Sequence, residues 1–219
     1  MSNVVIFGAG DYARIASTYL EADSDHKVLG FSVDGARKEV DQLLGKPVFA
    51  FEEMVESHPP DRVKLLVAVG FSGLNQGRTA VYERCKALGY QFVTYINSRA
   101  YQWGHIEVGE NSFIFEANVL QPFVRIGNNC VLWSGNHIGH DSSIDDNCFI
   151  ASHVVISGNC HIGHSCFIGV NATFRDGVRV APRCLIGAGA VILKDTEEGD
   201  VYGVKRTEPR EAKSWDMKF

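Results

Sequence analysis

A period of six residues runs without a break through residues 108–197 of this 219-residue chain. This period fits neither an amphipathic helix nor a simple alternating strand, and it predicts a parallel β-helix in which each block is one short strand and a corner. Three blocks make one coil, so residues eighteen apart stack at about 4.8 Å, the spacing of strands in a sheet. The first place of every block holds an aliphatic residue or Phe: Val108, Ile114, Leu120, Ile126, Leu132, Ile138, Ile144, Ile150, Ile156, Ile162, Ile168, Phe174, Val180, Ile186 and Ile192.

Composition excludes several classes of protein. The net charge of −5 argues against nucleic acid or an anionic membrane as the main partner, because both require a basic face. We find no apolar run of about 18 residues, which predicts no transmembrane helix, and the N-terminus lacks the basic segment of a signal peptide. Five of the six cysteines occupy the small fifth place of a block, and Cys85 falls in a predicted helix. We therefore expect a reduced, cytoplasmic protein.

Four of these cysteines are eighteen residues apart and are predicted to stack on one inner face of the β-helix: Cys130, Cys148, Cys166 and Cys184. Such a column could be a metal or redox ladder. Packing of small, soft side chains is the favoured interpretation, because a buried Cys behaves as a small hydrophobe. Parallel Cβ directions and a reducing compartment argue against disulfide bridges.

The first 95 residues alternate between strand and helix patterns, which predicts a small parallel, Rossmann-like α/β domain over residues 1–95. The β-helix is predicted over 96–197 and a C-terminal arm over 198–219. Residues 36–50 look like a loop. The predicted strands and helices are 2–7, 28–33, 64–69 and 92–96 for strands, and 11–22, 51–57 and 78–88 for helices.

The turn after the first strand reads Gly8-Ala9-Gly10-Asp11-Tyr12-Ala13, a GxGxxA fingerprint in a strand-turn-helix context. Taken alone it suggests NAD binding. Four strands are too few for an ordinary dinucleotide domain, however, and Asp11 places a negative charge at the helix N-terminus, where a phosphate prefers bare N–H groups. The two glycines could equally be structural turn residues.

Five of the eight histidines lie between positions 137 and 164: His137, His140, His153, His161 and His164. His140 is predicted on a corner beside Asp141, and a neighbouring carboxylate can fix an imidazole tautomer and raise its basicity. Gly158 follows eighteen residues later and should lie directly above His140 with its N–H accessible. A base next to a backbone donor suits acyl transfer. The alternative is a solvated corner histidine below an ordinary turn glycine.

The segment Asn136-His137-Ile138-Gly139-His140-Asp141-Ser142-Ser143-Ile144, with Gly158-Asn159 one coil later, resembles nucleotide-aminosugar N-acetyltransferases of the bacillosamine, perosamine and viosamine type, which are close to the sialic acid O-acetyltransferase-like group. The resemblance covers the whole chain. It implies a left-handed parallel β-helix, a homotrimer, and acetyl-CoA in the groove between neighbouring prisms. It also implies His140 as general base, Asp141 as the residue that orients it, and the Gly158 amide as donor to the thioester carbonyl.

The same resemblance assigns the N-terminal domain to the nucleotide sugar, held by Gly8, Gly10, Asp11, Ser32, Asp34 and the loop after Gly70. Lys194, Lys205 and Arg206 are candidate partners for the CoA phosphates, or else solvated charges. The Gly203 turn lacks the Pro-Ala of many relatives, which leaves the path of the arm open. Asn136 and Trp133 are candidates for the sugar pocket, although Trp133 could instead brace a corner.

These observations predict an N-acetyltransferase that uses acetyl-CoA and a nucleotide-linked amino sugar for bacterial surface glycan (O-antigen or lipopolysaccharide) biosynthesis, with no metal. One alternative is a sugar O-acetyltransferase on the same scaffold. A second is a zinc-dependent hydration enzyme, since the five histidines supply enough imidazoles. A third is a non-catalytic trimer that binds nucleotide sugars.

Overall fold

The computed structural model describes residues 2–205, 207–209, 211 and 215. Its N-terminal part is an α/β unit, and the remainder is a long coil of two-residue strands. The elements of the N-terminal part are β1 (Asn3–Phe7), α1 (Asp11–Asp23), β2 (Lys27–Val33), a 3-10 turn (Gly35–Arg37), β3 (Gln42–Leu43), β4 (Lys46–Ala50), α2 (Phe51–Ser57), β5 (Lys64–Val67) and α3 (Gln76–Ala87).

The N-terminal sheet has the strand order β3-β4-β2-β1-β5 and is parallel except for the short β3–β4 pair. Its inner strand β1 is apolar and buried on both faces, as expected for a parallel sheet between two layers. Val4 and Ile6 pack toward α1 and the β-helix, whereas Val5 and Phe7 pack toward α2 and α3. The glycine turn therefore lies at the carboxyl end of β1, the usual ligand-binding edge of such sheets.

Two of the predicted N-terminal elements were wrong. The predicted loop over 36–50 contains β4, which pairs with β2 in parallel; Pro47 and the absence of alternation hid this strand. Only the end of the predicted strand over 92–96 forms, as Tyr95–Ile96, while Phe92 makes a single bridge to Leu65. The following residues Tyr95–Ile96 pair instead with Phe113–Ile114 of the coil, so a distant partner eighteen residues along decides their place.

The coil has three parallel sheets, and paired residues are eighteen positions apart, as predicted, except in the last pair, Leu185 with Val201, which are sixteen apart. The covered face, which contacts the N-terminal domain, comprises β6 (Tyr95–Ile96), β9 (Phe113–Ile114), β12 (Val131–Leu132), β15 (Phe149–Ile150), β18 (Phe167–Ile168), β21 (Leu185–Ile186) and β23 (Val201–Tyr202). The apolar outer face comprises β7 (Tyr101–Gln102), β10 (Val119–Leu120), β13 (His137–Ile138), β16 (Val155–Ile156), β19 (Thr173–Phe174) and β22 (Val191–Ile192). The polar outer face comprises β8 (Glu107–Val108), β11 (Arg125–Ile126), β14 (Ser143–Ile144), β17 (His161–Ile162) and β20 (Arg179–Val180).

The first and fifth places of the blocks fill the interior of this prism. The cysteine column forms as predicted, and its four thiols are fully buried. Each thiol lies against a backbone carbonyl of the next coil, at 3.1 Å from Asp145 O for Cys130 and 3.2 Å from Gly163 O for Cys148. Burial raises the pKa of the Cys148 thiol well above its ordinary value, which keeps it neutral. The column is therefore part of the packed core.

The end of the coil differs from the predicted domain limits. The six-residue pattern fades after Thr196, yet Val201–Tyr202 adds one more strand to the covered face by pairing with Leu185–Ile186. The arm predicted from residue 198 therefore begins with a strand of the β-helix. Across the described ranges, no helix is both long and apolar enough to cross a membrane.

The covered face carries a ladder of aromatic rings that receives the N-terminal domain. Phe115 and Trp133 stack at 4.4 Å, and Tyr19 of α1 packs edge-on against Phe115 at 5.0 Å. Arg78 of α3 is fully buried beside this ladder. Its guanidinium donates to the carbonyl oxygens of Asn129, Asn147 and Cys148 at 3.3, 3.1 and 3.2 Å. One side chain thus ties α3 to two successive coils.

We expect Arg78→Met to lower the free energy of unfolding by about 3–5 kcal/mol, because it leaves several buried carbonyl groups without donors. Urea unfolding followed by circular dichroism would measure the change. Arg14→Met is the control, since Arg14 lies on an exposed face of α1 and pairs only with Asp11 at 3.2 Å. A loss for Arg78→Met no larger than for this control would contradict the stabilising role of Arg78.

Candidate active site

His140 lies on the corner where the apolar outer face turns into the polar outer face; we call this the His140 corner. The pairs His137↔Val155 and Ser143↔His161 lie on its two sides. Backbone hydrogen bonds hold successive turns of this corner together, at 2.8 Å from Asn159 N to His140 O and 3.0 Å from Gly177 N to Gly158 O. The column of third-place residues on the corner is Gly104, Pro122, His140, Gly158, Asp176 and Lys194.

His140 and Asp141 form a hydrogen-bonded pair on this corner. His140 Nδ1 is 2.9 Å from Asp141 Oδ2, and both side chains are about half exposed. Asp141 has φ 57°, the left-handed conformation that recurs at this place of the repeat and that Asp tolerates better than most residues. When the Asp141 carboxylate accepts a hydrogen bond from Nδ1–H, Nε2 carries the free lone pair. The far side of the ring is therefore the basic one.

Nε2 of His140 faces Gly158, as the column predicted. A Cβ placed on Gly158 would lie 2.7 Å from His140 Nε2 and 2.8 Å from its Cε1, so only glycine leaves room for the ring. Among the residues that the structure describes, no acceptor is paired with the Gly158 N–H. Nε2 of the exposed His140 thus lies beside the buried Gly158, whose N–H is the candidate donor.

The other histidines of this segment lie on different parts of the prism. His137 is on the apolar outer face and His161 on the polar outer face, where its Nδ1 is 2.9 Å from Ser143 Oγ. His153 and His164 occupy the two remaining corners. Within the described ranges, no group of three His, Cys, Asp or Glu side chains is arranged to hold a metal ion. The histidines do not converge within one chain.

A cavity of about 740 Å³ lies on the polar outer face and is lined by residues that include Arg125, Asp145 and His161. His140 is not among its lining residues. The His140 corner is convex, so a substrate bound there has protein on one side only. A complete site at this corner needs a second protein surface opposite it.

The N-terminal domain has a pocket of about 360 Å³ at the carboxyl ends of β1 and β2. Gly8, Gly10, Asp11 and Asp34 line it, together with Gly70 of the predicted loop. A Cβ at Gly8 would lie 2.5 Å from Ala68 O, and its φ is 134°, so this glycine is also required by the backbone. Nothing lies within 4 Å of a Cβ at Gly10, which borders open space.

Three predicted binding residues are used by the fold instead. Ser32 is fully buried and does not line the pocket; only its backbone serves the turn, because Ser32 O accepts the Gly8 N–H at 2.8 Å. Asn136 is buried, and its side chain bonds Trp133 O at 2.5 Å and Val154 N at 2.8 Å. Trp133 stacks between the domains on the covered face, away from His140. It braces the domain contact.

The predicted CoA-phosphate residues have different positions. Lys194 is exposed at the top of the column that contains His140 and Gly158, and Lys205 is exposed just after β23. Arg206 lies outside the described residues. The sequence analysis missed two polar residues. Asp176 lies above Gly158 on the same corner, where the count of eighteen would have placed it. Glu116 lies at the contact with the N-terminal domain, where its Oε2 accepts the Tyr19 hydroxyl at 2.8 Å.

Comparison with known proteins identifies the repeat and the fold. Residues 123–158 and 159–194 match the family model "bacterial transferase hexapeptide (six repeats)". The acetyltransferase domain of PglB from Neisseria gonorrhoeae is similar in structure, with 24% identity, TM-score 0.79, and coverage of 92% of this chain and 96% of that one. PerB from Caulobacter crescentus, solved with CoA and GDP-perosamine, has 22% identity, TM-score 0.78 and 93% coverage of both chains.

WeeI from Acinetobacter baumannii is also similar, with 18% identity, TM-score 0.66, and coverage of 87% of this chain and 96% of that one. No curated protein sequence matches this one. The similarity to the solved structures extends over both parts of the chain and confirms the predicted fold class, an α/β domain followed by a left-handed parallel β-helix. The repeat over residues 123–194 therefore matches the bacterial transferase hexapeptide, and the fold of the chain is that of the similar solved structures.

Proposed function

We propose that this protein transfers the acetyl group of acetyl-CoA to the amino group of a nucleotide-linked amino sugar, in the cytoplasm, for bacterial surface glycan biosynthesis. The observation that carries the proposal is the position of His140 Nε2 beside Gly158, with the imidazole oriented by its 2.9 Å contact with Asp141. The fold is shared with a protein solved with CoA and GDP-perosamine, which supports the same pair of substrates here.

In the proposed reaction, the sugar nitrogen attacks the thioester carbonyl and forms the C–N bond. His140 Nε2 accepts a proton from this nitrogen, and the Asp141 carboxylate stabilises the imidazolium that results. The Gly158 N–H donates to the carbonyl oxygen as it becomes an oxyanion. The C–S bond then breaks, and the proton passes to the leaving thiolate. The exposed ammonium groups of Lys194 and Lys205 are the proposed partners of the CoA phosphates.

We further propose that the chain acts as a homotrimer, with the reaction in the grooves between prisms. The apolar outer face exposes Tyr101, Val191 and Leu193 by 56, 63 and 54%, an unusual amount of apolar side chain for a free surface. This face adjoins the His140 corner. Packing it against a neighbouring copy would supply the second surface that the convex corner lacks, and a solenoid edge favours such assembly.

The pocket at Gly8 and Gly10 is the proposed site for the base and ribose of the nucleotide. We expect Gly10→Leu to abolish the thermal stabilisation by nucleoside diphosphates, because the open space at this position lets the new side chain fill the pocket. A ligand at a hundred times its dissociation constant adds about 2.7 kcal/mol to wild-type stability. Thermal-shift measurements with UDP, GDP and dTDP would detect it. An unchanged shift in the variant would place the nucleotide elsewhere.

The decisive test is a panel of UDP-, GDP- and dTDP-linked amino sugars incubated with acetyl-CoA, with free thiol as the readout. Turnover with at least one amino sugar supports the proposal. Thiol release only with hydroxyl sugars would instead identify an O-acetyltransferase, and no binding of acetyl-CoA in calorimetry would identify a binding protein. Stoichiometric zinc in the purified protein would favour a metal-dependent enzyme.

A further inference from the structure

Asp176 lies two coils above His140 on the same corner, with Gly158 between them. Its Oδ1 is 2.9 Å from the position that a Cβ of Gly158 would occupy, and His140 Nε2 is 2.7 Å from that same position. The carboxylate and the imidazole therefore both lie against Gly158, in the space that a side chain at this position would fill. Among the described residues, the Asp176 carboxylate has no hydrogen-bond or ion-pair partner.

We propose that Asp176 binds the positively charged nitrogen of the acceptor and thereby makes the site specific for amines over hydroxyl groups. This inference rests on the proposed acetyl transfer at His140. Nε2 and the Asp176 carboxylate both lie next to Gly158, and the residues His140 and Asp176 are exposed, so one ligand group outside the corner can contact both. A protonated amine matches both groups, because it offers three N–H donors and a positive charge.

The charge of the nitrogen along the reaction explains the preference. The bound ammonium first releases one proton to solvent through His140. The free amine then attacks the thioester carbon, and the nitrogen becomes positive as the C–N bond forms. Asp176 stabilises this charge while the Gly158 N–H stabilises the oxyanion. His140 takes the second proton, the C–S bond breaks, and the thiolate receives that proton. The products are the amide, the thiol and one released proton.

A hydroxyl acceptor would meet the opposite effect. Its oxygen must lose a proton as it attacks, so negative charge develops next to the Asp176 carboxylate. Like charges at such short range oppose one another, and the barrier rises. Without a carboxylate at position 176, the same corner would prefer neither the amine nor the hydroxyl acceptor. Asp176 is thus a specificity-determining residue, separate from the base and the oxyanion donor.

Asp176→Asn tests this inference, because it removes the charge and keeps the shape. With the amino sugar that gives the highest wild-type turnover, we expect kcat/KM to fall at least about tenfold, the loss of one charge-assisted hydrogen bond. The KM for acetyl-CoA should not change. The corresponding hydroxyl sugar, used as a competitive inhibitor, should bind the variant as tightly as the wild type. Asp61→Asn, an exposed charge on the N-terminal domain, is the matched control and should behave as wild type.

The outcomes separate the inference from the function on which it rests. If wild-type protein acetylates the amino sugar and Asp176→Asn does so equally well, Asp176 has no role and the proposed function stands. If the substitution weakens kcat/KM for the amino sugar and binding of the hydroxyl inhibitor equally, the residue shapes the site without recognising charge, which also overturns the inference. If the wild type acetylates only hydroxyl sugars, both proposals fail together.

Discussion

His140→Ala is expected to lower kcat for acetyl transfer by about 10³-fold, within the range that a positioned general base contributes. The imidazole is half exposed and its ring lies over Gly158 and beside Asp141, outside the prism, so its removal should not disturb the core. Single-turnover release of free thiol with saturating amino sugar would measure the loss. The assembly and the thermal unfolding transition should match those of the wild type.

His164→Ala is the matched control for this variant. His164 occupies the same third place of its block and is exposed, but it lies on another corner and its Nδ1 is 3.3 Å from Ser165 Oγ, without a carboxylate. We expect its turnover to stay within about threefold of wild type, as for a surface change of about 0.5 kcal/mol. Wild-type turnover in His140→Ala would remove His140 as the base, whatever the control shows.

Gly158→Ala is expected to lower kcat by about 10²-fold or more, the effect of losing one oxyanion donor or of moving the base out of reach. A methyl group there would lie 2.7 Å from His140 Nε2 and 2.9 Å from Asp176 Oδ1, so the imidazole must move away from the Gly158 N–H. The pH profile of the residual activity and single-turnover kinetics would show whether chemistry has become the slow step.

Gly189→Ala separates this effect from loss of folding. Gly189 lies on a different corner with φ 73°, and a Cβ there meets nothing within 4 Å. Its substitution costs about 1 kcal/mol of backbone strain, yet leaves the His140 corner intact. We expect Gly189→Ala to lower the stability and keep normal turnover. We expect Gly158→Ala to lower the turnover and keep normal stability. If Gly158→Ala turns over normally, the glycine is only a turn residue.

The sequence predicted the β-helix well because its structure repeats locally. A regular series of Ile, Val and Leu determines the register, so counting by eighteen places Gly158 above His140 from the sequence alone. The same count reaches Asp176, but a lone Asp among many surface carboxylates carries no signal until its neighbours are known. Only the geometry shows that it borders the same space as Nε2.

The N-terminal domain was less predictable because long-range contacts decide it. Pro47 masked a parallel strand, and Tyr95 joined the coil through its pairing with Phe113. The resemblance implied Ser32 as a residue that binds the nucleotide sugar, but its side chain is fully buried. Arg78 reads in sequence as an ordinary helix cation, and nothing local indicates that it is buried against another domain.

The buried guanidinium of Arg78 also fixes the position of the N-terminal domain along the prism. It contacts Asn129 and Asn147, which lie on either side of His140 in the sequence, so it fixes the N-terminal domain relative to the coil that carries His140. Inserting or deleting eighteen residues beyond this anchor would shift the later coils by about 4.8 Å and preserve every pairing. Distances along this prism can change only in whole steps. The distance between the docked N-terminal domain and the reacting group is therefore set by a whole number of coils.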